Sequence, residues 1–316
     1  MKKRMSSLSI ALIATLLVFA LSMTLIIGTS TTWGKVEITD LDLATGDGDR
    51  IHALLYKPKT VTEEKPAPLA IIAHGGSDML EQASGYAIEL SRRGYVVMTY
   101  DYAGQASSDV PTGNAEGNSG LSGYGKRGLN TIWNAVKHFN FIDQDHIVTM
   151  GHSAGGMHTI GFAIDHQDEI FLQVNLGMNM YGPKDISEHN FNFVNILGDS
   201  DESALARAVG DTNLSHFQTE QLKRMFFNDY ETDTEKLPEL ILNKTYTVTG
   251  TDGNTYQRTA YMPDACHAYY LVDQDAVQTV IYAITSTVGL GLDNGVNSYD
   301  DYSKISTVWQ LHDIGY

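Results

Sequence analysis

The N-terminal stretch differs in pattern from everything after it. Leu8 to Gly28 is a run of 21 residues that are mostly apolar and carry no charge. A helix needs roughly 20 such residues to cross about 30 Å of hydrocarbon, whereas a signal-peptide core has roughly 7–15. The run therefore predicts a membrane-spanning helix. Lys2, Lys3 and Arg4 precede it and no charge follows before Gly34, so the basic flank is expected in the cytoplasm and the remainder across the membrane. The alternative is a cleaved signal peptide: Thr29, Ser30 and Thr31 are small enough to precede a cut, although no clear A-x-A site is present. Either way the rest of the chain is expected outside the cytoplasm, and with the anchor retained it is expected to hang on the short polar stalk of Thr29 to Gly34.

Past this segment the pattern alternates between strand and helix periods. Val36 to Leu43 has period two, Gly46-Asp47-Gly48-Asp49 marks a turn, and Ile51 to Tyr56 returns before Pro58, which predicts an opening hairpin. Leu69 to Ala73 and Tyr95 to Tyr100 are continuous apolar runs suited to strands buried on both faces. Between them, Leu80 to Arg93 has helical spacing and stops at Gly94. Strand, helix, strand implies a right-handed parallel crossover. There follow a glycine-rich loop from Gly104 to Gly125, a helix from about Gly128 to Phe139, a strand at His146 to Met150 and a helix from Ala154. Gln173 to Gly177, Phe191 to Leu197 and Tyr256 to Met262 read as further strands, and Asp275 to Val288 as the last helix. The predicted class is α/β, a mostly parallel sheet with helices on both faces.

The expected organisation is a membrane anchor over residues 1–33, one α/β domain over 34–288, and an extension of unknown role over 289–316. No internal repeat or low-complexity tract interrupts it. Within the domain, about 203–240 is an acidic helical stretch with Phe217, Met225, Phe226, Phe227 and Tyr230. It reads as a small cap over the catalytic face or as an ordinary packing helix. The extension stops at Tyr316 without an evident cap, so a continuation of the natural chain is one expectation.

Charge narrows the partners. The chain has 21 basic and 38 acidic residues, a net charge of −17, which repels phosphate backbones and argues against nucleic acid. Without Lys2, Lys3 and Arg4 the balance is 18 against 38, or −20 for the exported part. Cys266 is the single cysteine. It excludes an internal disulfide, offers no zinc or redox pair, and is expected to be a small buried hydrophobe.

Gly151-His152-Ser153-Ala154-Gly155 lies where a predicted buried strand gives way to a helix. A hydroxyl nucleophile must protrude from a tight, strained turn, and glycines two residues either side let neighbouring backbone pass. The attacked carbonyl becomes an oxyanion that needs fixed backbone donors. Ala154 supplies one at the start of its helix. Gly76, in His74-Gly75-Gly76 after the Leu69–Ala73 strand, is assigned the other, while His74 is expected to be structural. Serine also needs a base oriented by a carboxylate, in the chain order nucleophile, acid, histidine. His189, His216, His267 and His312 follow Ser153. His189 precedes the acid strand, His216 falls in the acidic stretch and His312 in the tail, which leaves His267. For the acid, Phe191 to Leu197 delivers Gly198-Asp199-Ser200-Asp201-Glu202 to the edge where open α/β sheets carry their sites. Asp201 is preferred for its reach and Asp199 competes; the ligand spacing of a calcium loop is absent.

These residues resemble the α/β-hydrolase superfamily from near Gly34 to near Val288. Asp47-Gly48-Asp49-Arg50-Ile51 with Leu55-Tyr56-Lys57-Pro58 is similar to the start of its dienelactone-hydrolase and peptidase-like branches. Asp101-Tyr102-Ala103-Gly104-Gln105-Ala106-Ser107 is similar to its D-x-x-G-x-G-x-S turn, with Ala106 in place of the second glycine. The resemblance implies Ser153 as nucleophile, His267 as base, Asp201 as acid and Gly76 with Ala154 as oxyanion donors, with no metal or cofactor. Dienelactone hydrolases proper carry cysteine at the elbow, so that exact activity is not implied; the leading reading is hydrolysis of a small-molecule carboxylic ester through an acyl-enzyme. Amide or peptide cleavage and acyl transfer use the same groups, and a non-catalytic surface binding protein is the rival of another class.

Overall fold

The computed structural model describes residues 5–112, 120–178, 189–203, 216–229 and 232–315. Helix α1 (Ser7–Ser30) comes first, then strands β1 (Val36–Ala44), β2 (Arg50–Pro58) and β3 (Ala67–Ala73). Helix α2 (Ser84–Ser91), β4 (Val96–Tyr100), α3 (Gly120–Val136), β5 (Ile142–His152) and α4 (Ala154–Asp165) follow. Next come β6 (Leu172–Leu176), β7 (Asn192–Ile196), α5 (Glu220–Phe227), β8 (Tyr246–Thr249), β9 (Thr255–Tyr261), α6 (Gln274–Val288) and α7 (Trp309–Gly315).

The strands form one sheet in the order β1-β2-β4-β3-β5-β6-β7-β9-β8. The six from β4 to β9 in that order run parallel, while β1, β2 and β8 are antiparallel to their neighbours. Parallel strands carry apolar side chains on both faces because helices cover both. On one face Ile71, Met98, Ile147 and Phe193 meet Ile132 and Trp133 of α3, Phe162 of α4 and Phe226 of α5. On the other Ile72, Val97, Val148 and Val174 meet Tyr86 and Leu90 of α2 and Val277, Val280 and Ile281 of α6. The strand order reverses between β3 and β5, since β4 lies to one side of β3 and β5 to the other. The crevice above their C-terminal ends is the switch point where such sheets place ligands.

Four expectations change. The helix expected from Gly128 starts at Gly120, inside the stretch read as loop. Its glycines serve close packing: a Cβ at Gly125 would lie 2.2 Å from the His158 ring of α4, and one at Gly128 would lie 2.8 Å from Tyr100. Residues 113–119 of that stretch lie outside the described residues. Cys266 is half-buried rather than a core hydrophobe. Thr29 to Gly34, expected as a short polar stalk, is held at its start: Gly28 and Thr29 are buried and the amide of Val36 donates to the Thr31 carbonyl at 2.8 Å, while Trp33 and Gly34 are exposed. Finally, β8 was not read from the sequence; four residues at a sheet edge carry too little pattern to register.

In the acidic stretch, Phe217, Leu222, Met225 and Phe226 are fully buried in the core, and Phe226 packs edge-on against Phe193 at 5.8 Å. Residues 204–215 and Tyr230 lie outside the described residues. The C-terminal extension is bound to the body. Trp309 packs over Gly85, and the amides of Val308 and Trp309 donate to the buried carboxylate of Glu89 at 2.6 and 3.0 Å. Arg92 and Arg93 hold the other oxygen of Glu89, both at 2.6 Å, so its charge is paired.

Candidate active site

Ser153 occupies the single residue between β5 and α4, with φ +53° and ψ −118°. A non-glycine residue there is strained, and such strain persists only where the surroundings over-determine it. They do so here. A Cβ at Gly151 would meet the Gly155 carbonyl carbon at 2.2 Å, and one at Gly155 would meet the Ala73 and His74 carbonyl oxygens at 2.5 Å. Both flanking glycines are therefore fixed by backbone approach, and the second presses the start of α4 against the end of β3.

His267 opens a short 3₁₀ turn after β9. Its Nδ1 stands 3.0 Å from Asp201 Oδ2 and its Nε2 2.9 Å from Ser153 Oγ. A carboxylate only accepts, so Nδ1 carries the proton, and Nε2 is left to accept from the serine hydroxyl. Asp201, beyond β7, is 0% exposed and receives two further donors, the Tyr270 hydroxyl at 2.9 Å and the Ser203 amide at 2.9 Å. Those bonds stabilise a buried charge. Asp199, its competitor, is exposed and accepts from the Ser200 hydroxyl. Burial raises the Tyr270 phenol far above its usual range, so Tyr270 stays a donor.

The two assigned oxyanion residues flank the same crevice. Ala154 is the first residue of α4, and Gly76 lies in the loop after β3. That loop is pinned from beneath by His74, which donates from Nδ1 to the Gly75 carbonyl at 2.7 Å and stacks on Tyr102 at 3.9 Å. Burial lowers the pKa of His74, in keeping with a neutral structural ring. His189 and His216 are also buried, and burial pushes them down to about 3 and about 4 respectively. Of the four histidines that follow Ser153, His267 is the one at the serine.

Three neighbours carried no role in the sequence reading. His152 donates from Nε2 to the His267 carbonyl at 3.2 Å and turns Nδ1 toward Asp78 Oδ2 at 3.8 Å. The His152 ring holds the Asp78 carboxyl below the usual carboxylate range. Glu202 accepts from the His267 amide at 3.0 Å, and Tyr270 follows His267 by three residues. Adjacency to an assigned residue was their only signal. Among the described residues, no three of His, Cys, Asp and Glu are placed to hold a metal ion.

Sheet order and elbow together define the α/β-hydrolase fold, and the resemblance to that superfamily read from the sequence is borne out. Residues 64–200 match the model of the Hydrolase_4 family, described as serine aminopeptidase, S33. The match contains Ser153 and stops before Asp201. No curated protein matches the chain. Similar solved structures include a protein from Klebsiella pneumoniae assigned as a dienelactone hydrolase, 14% identical over 80% of this chain and 98% of that one, with a TM-score of 0.52. One from Bacteroides ovatus assigned as a dipeptidyl aminopeptidase IV is 17% identical over 81% of this chain and 36% of that one, with a TM-score of 0.55. An esterase from Exiguobacterium antarcticum is 17% identical over 45% of this chain and 46% of that one, with a TM-score of 0.35. The chain spans less than half the length of the last two.

Proposed function

We propose that this chain is a serine hydrolase that cleaves a carboxylic ester through an acyl-enzyme. The observation that carries the reading is the His267 ring, which reaches Ser153 Oγ at 2.9 Å on one side and Asp201 at 3.0 Å on the other, at a strained elbow. His267 takes the serine proton as Oγ attacks the ester carbonyl. Asp201 holds the ring in its Nδ1–H tautomer and steadies the imidazolium that forms. The amides of Gly76 and Ala154 receive the oxyanion, each worth about 3 kcal/mol in the transition state. His267 then protonates the leaving alcohol, and water repeats the sequence to free the acid.

The match of residues 64–200 to a serine aminopeptidase model favours a second substrate, an amide or peptide, on the same groups. A fluorophosphonate probe should label the protein and fail on Ser153→Ala. A screen of esters across acyl-chain lengths beside aminoacyl amides then separates the two substrates. Absence of labelling in the native chain would point to a binding protein that keeps the fold.

The same reading extends to location. Helix α1 is 24 residues long, and its most apolar window has a mean hydropathy of 2.7 and is uncovered by the rest of the chain. It serves as a retained anchor, with the −20 body outside the cytoplasm and a small ester as its substrate.

A further inference from the structure

The last turns of α1 are not free helix. Ser22, Leu25, Ile26 and Thr29 are covered positions at i, i+3, i+4 and i+7, one stripe that faces the body. Helix α7 lies against this stripe: a Cβ at Gly315 would come within 2.7 Å of Ile26 Cγ1 and 3.0 Å of the Ser22 carbonyl oxygen. From Ser7 to Leu21, by contrast, every residue is exposed.

Lengths then decide where the body sits. Ser7 to Leu21 is 15 residues, about 22 Å of helix at about 1.5 Å per residue, short of the roughly 30 Å hydrocarbon core. All 24 residues of α1 reach about 36 Å. A bilayer crossed by α1 must therefore take in docked turns as well, together with whatever flanks them. The flanking surface is apolar: Met23 and Ile27 face outward from α1, and Leu311 and Ile314 of α7 are 41% and 71% exposed. Trp33, 63% exposed just past the helix, suits the interfacial belt. Asp313, the acid on α7, is met by His312 Nδ1 at 3.1 Å.

We propose that α7 and the docked turns of α1 form a seat that rests in the lipid surface, so that the body lies on the bilayer instead of hanging from a stalk. The lipid is uncharged or zwitterionic, because the −20 body repels anionic headgroups. A cavity of about 400 Å³ opens beside the seat, lined among others by Ile26, Ile38, Leu54 and Met79 together with the polar His312, Asp313 and Glu81. Met79 adjoins Asp78, which faces His152, so the seat brings the loop of Gly76 toward the lipid. The inference rests on the anchor reading above.

The test uses the full-length chain with Cys266→Ser, reconstituted in phosphatidylcholine vesicles, with single cysteines placed by Leu311→Cys, Ile314→Cys and, as a distant exposed control, Thr251→Cys. A membrane-impermeant maleimide should label positions 311 and 314 about tenfold or more slowly in vesicles than in detergent, since lipid removes the water a reactive thiolate needs. Position 251 should label alike in both. Equal rates at all three in protein that resists carbonate extraction would overturn the seat, whereas release by carbonate would overturn the anchor reading itself. Trp33 gives a second measurement that needs no cysteine. Brominated acyl chains should quench its fluorescence, with Trp33→Phe as reference, and no quenching in carbonate-resistant protein would count against the seat.

Discussion

The Nε2–H of His152 donates to the backbone carbonyl of His267 at 3.2 Å, so the residue before the serine holds the loop that carries the ring facing it. The other face of the same imidazole turns to Asp78 at 3.8 Å, and Asp78 lies on the loop that carries Gly76: a Cβ at Gly75 would meet its Oδ2 at 2.5 Å. The side chain thus holds the loop after β9 by a hydrogen bond and stands beside the loop after β3 without bonding it. In His152→Ala the loop that carries His267 loses this hydrogen bond, and a displacement of about 1 Å can cost about 100-fold in rate. The expected outcome is a kcat lower by about 10- to 100-fold with KM little changed, partly restored in His152→Gln, which keeps a donor. Wild-type kcat in His152→Ala would show that the bridge does nothing for the reaction.

The two aspartates after β7 separate just as sharply. Asp201 is buried against His267, whereas Asp199 is exposed beside Ser200. Ser153→Ala and His267→Ala should each lower turnover by about 10⁶, Asp201→Asn by about 10⁴, and Asp199→Asn should leave it unchanged. Steady-state ester hydrolysis by the four variants decides this, and a crippled Asp199→Asn beside a normal Asp201→Asn would reverse the assignment.

How far the sequence reached depended on the period of the signal. Strands β3 and β4 are apolar runs bounded by turn residues, and the elbow is five residues with a known geometric demand, so both were legible. The start of α3 was not, because glycine reads as loop when its reason lies on another element. Gly125 is small for the sake of His158, which is 33 residues away in sequence. The docking of α1 and α7 was hidden for the same reason: Ser22, Ile26 and Gly315 meet only after the fold forms. His152 was inside the quoted motif, but nothing local says what its ring reaches.

Gly125→Ala tests that explanation. Its methyl would enter the space of the His158 ring, 2.2 Å away. Alanine otherwise favours a helix, by roughly 1 kcal/mol over glycine. Overpacking of this kind costs about 1–3 kcal/mol, so the net change should be destabilising. Urea unfolding of the wild type and variant, compared by midpoint, gives the sign; a stabilised Gly125→Ala would mean that α3 and α4 are not pressed together at this point.

Acid should weaken the fold through buried histidines. Burial lowers His74, and brings His158 to about 4, His189 to about 3 and His216 to about 4. Above the ordinary histidine value of about 6.5 neither state binds the proton, and below it the unfolded chain binds protons that the folded one refuses. Stability therefore falls as pH drops from about 6.5 toward 4, by up to about 1.4 kcal/mol per pH unit for each histidine fully engaged. Urea midpoints at pH 7.5, 6, 5 and 4.5 should decline through this window, and His158→Gln should flatten the slope. A midpoint independent of pH between 6.5 and 4.5 would show that these rings are not held neutral.

Two truncations separate the free and docked parts of α1. Among the described residues, removing 1–21 takes away only exposed ones and leaves the stripe of Ser22, Leu25, Ile26 and Thr29 in place on the body. Removing residues 1–33 strips that stripe as well, and uncovers Gly315 and the cavity wall at Ile38 and Leu54. Burial of a Leu or Ile side chain is worth roughly 1.5–3 kcal/mol when complete; Leu25 and Ile26 are partly covered, so the second truncation should lose about 2–4 kcal/mol more than the first. Both should keep the labelling of Ser153 by a fluorophosphonate, because Ser153, His267 and Asp201 lie on loops of the sheet far along the chain from α1. The shorter truncation should unfold at the higher urea concentration, while the longer one should be less stable and more prone to self-association through the face of α7 that α1 had covered. Equal midpoints for the two would mean that the last turns of α1 contribute nothing to the body, and the helix would then be a tether and no more.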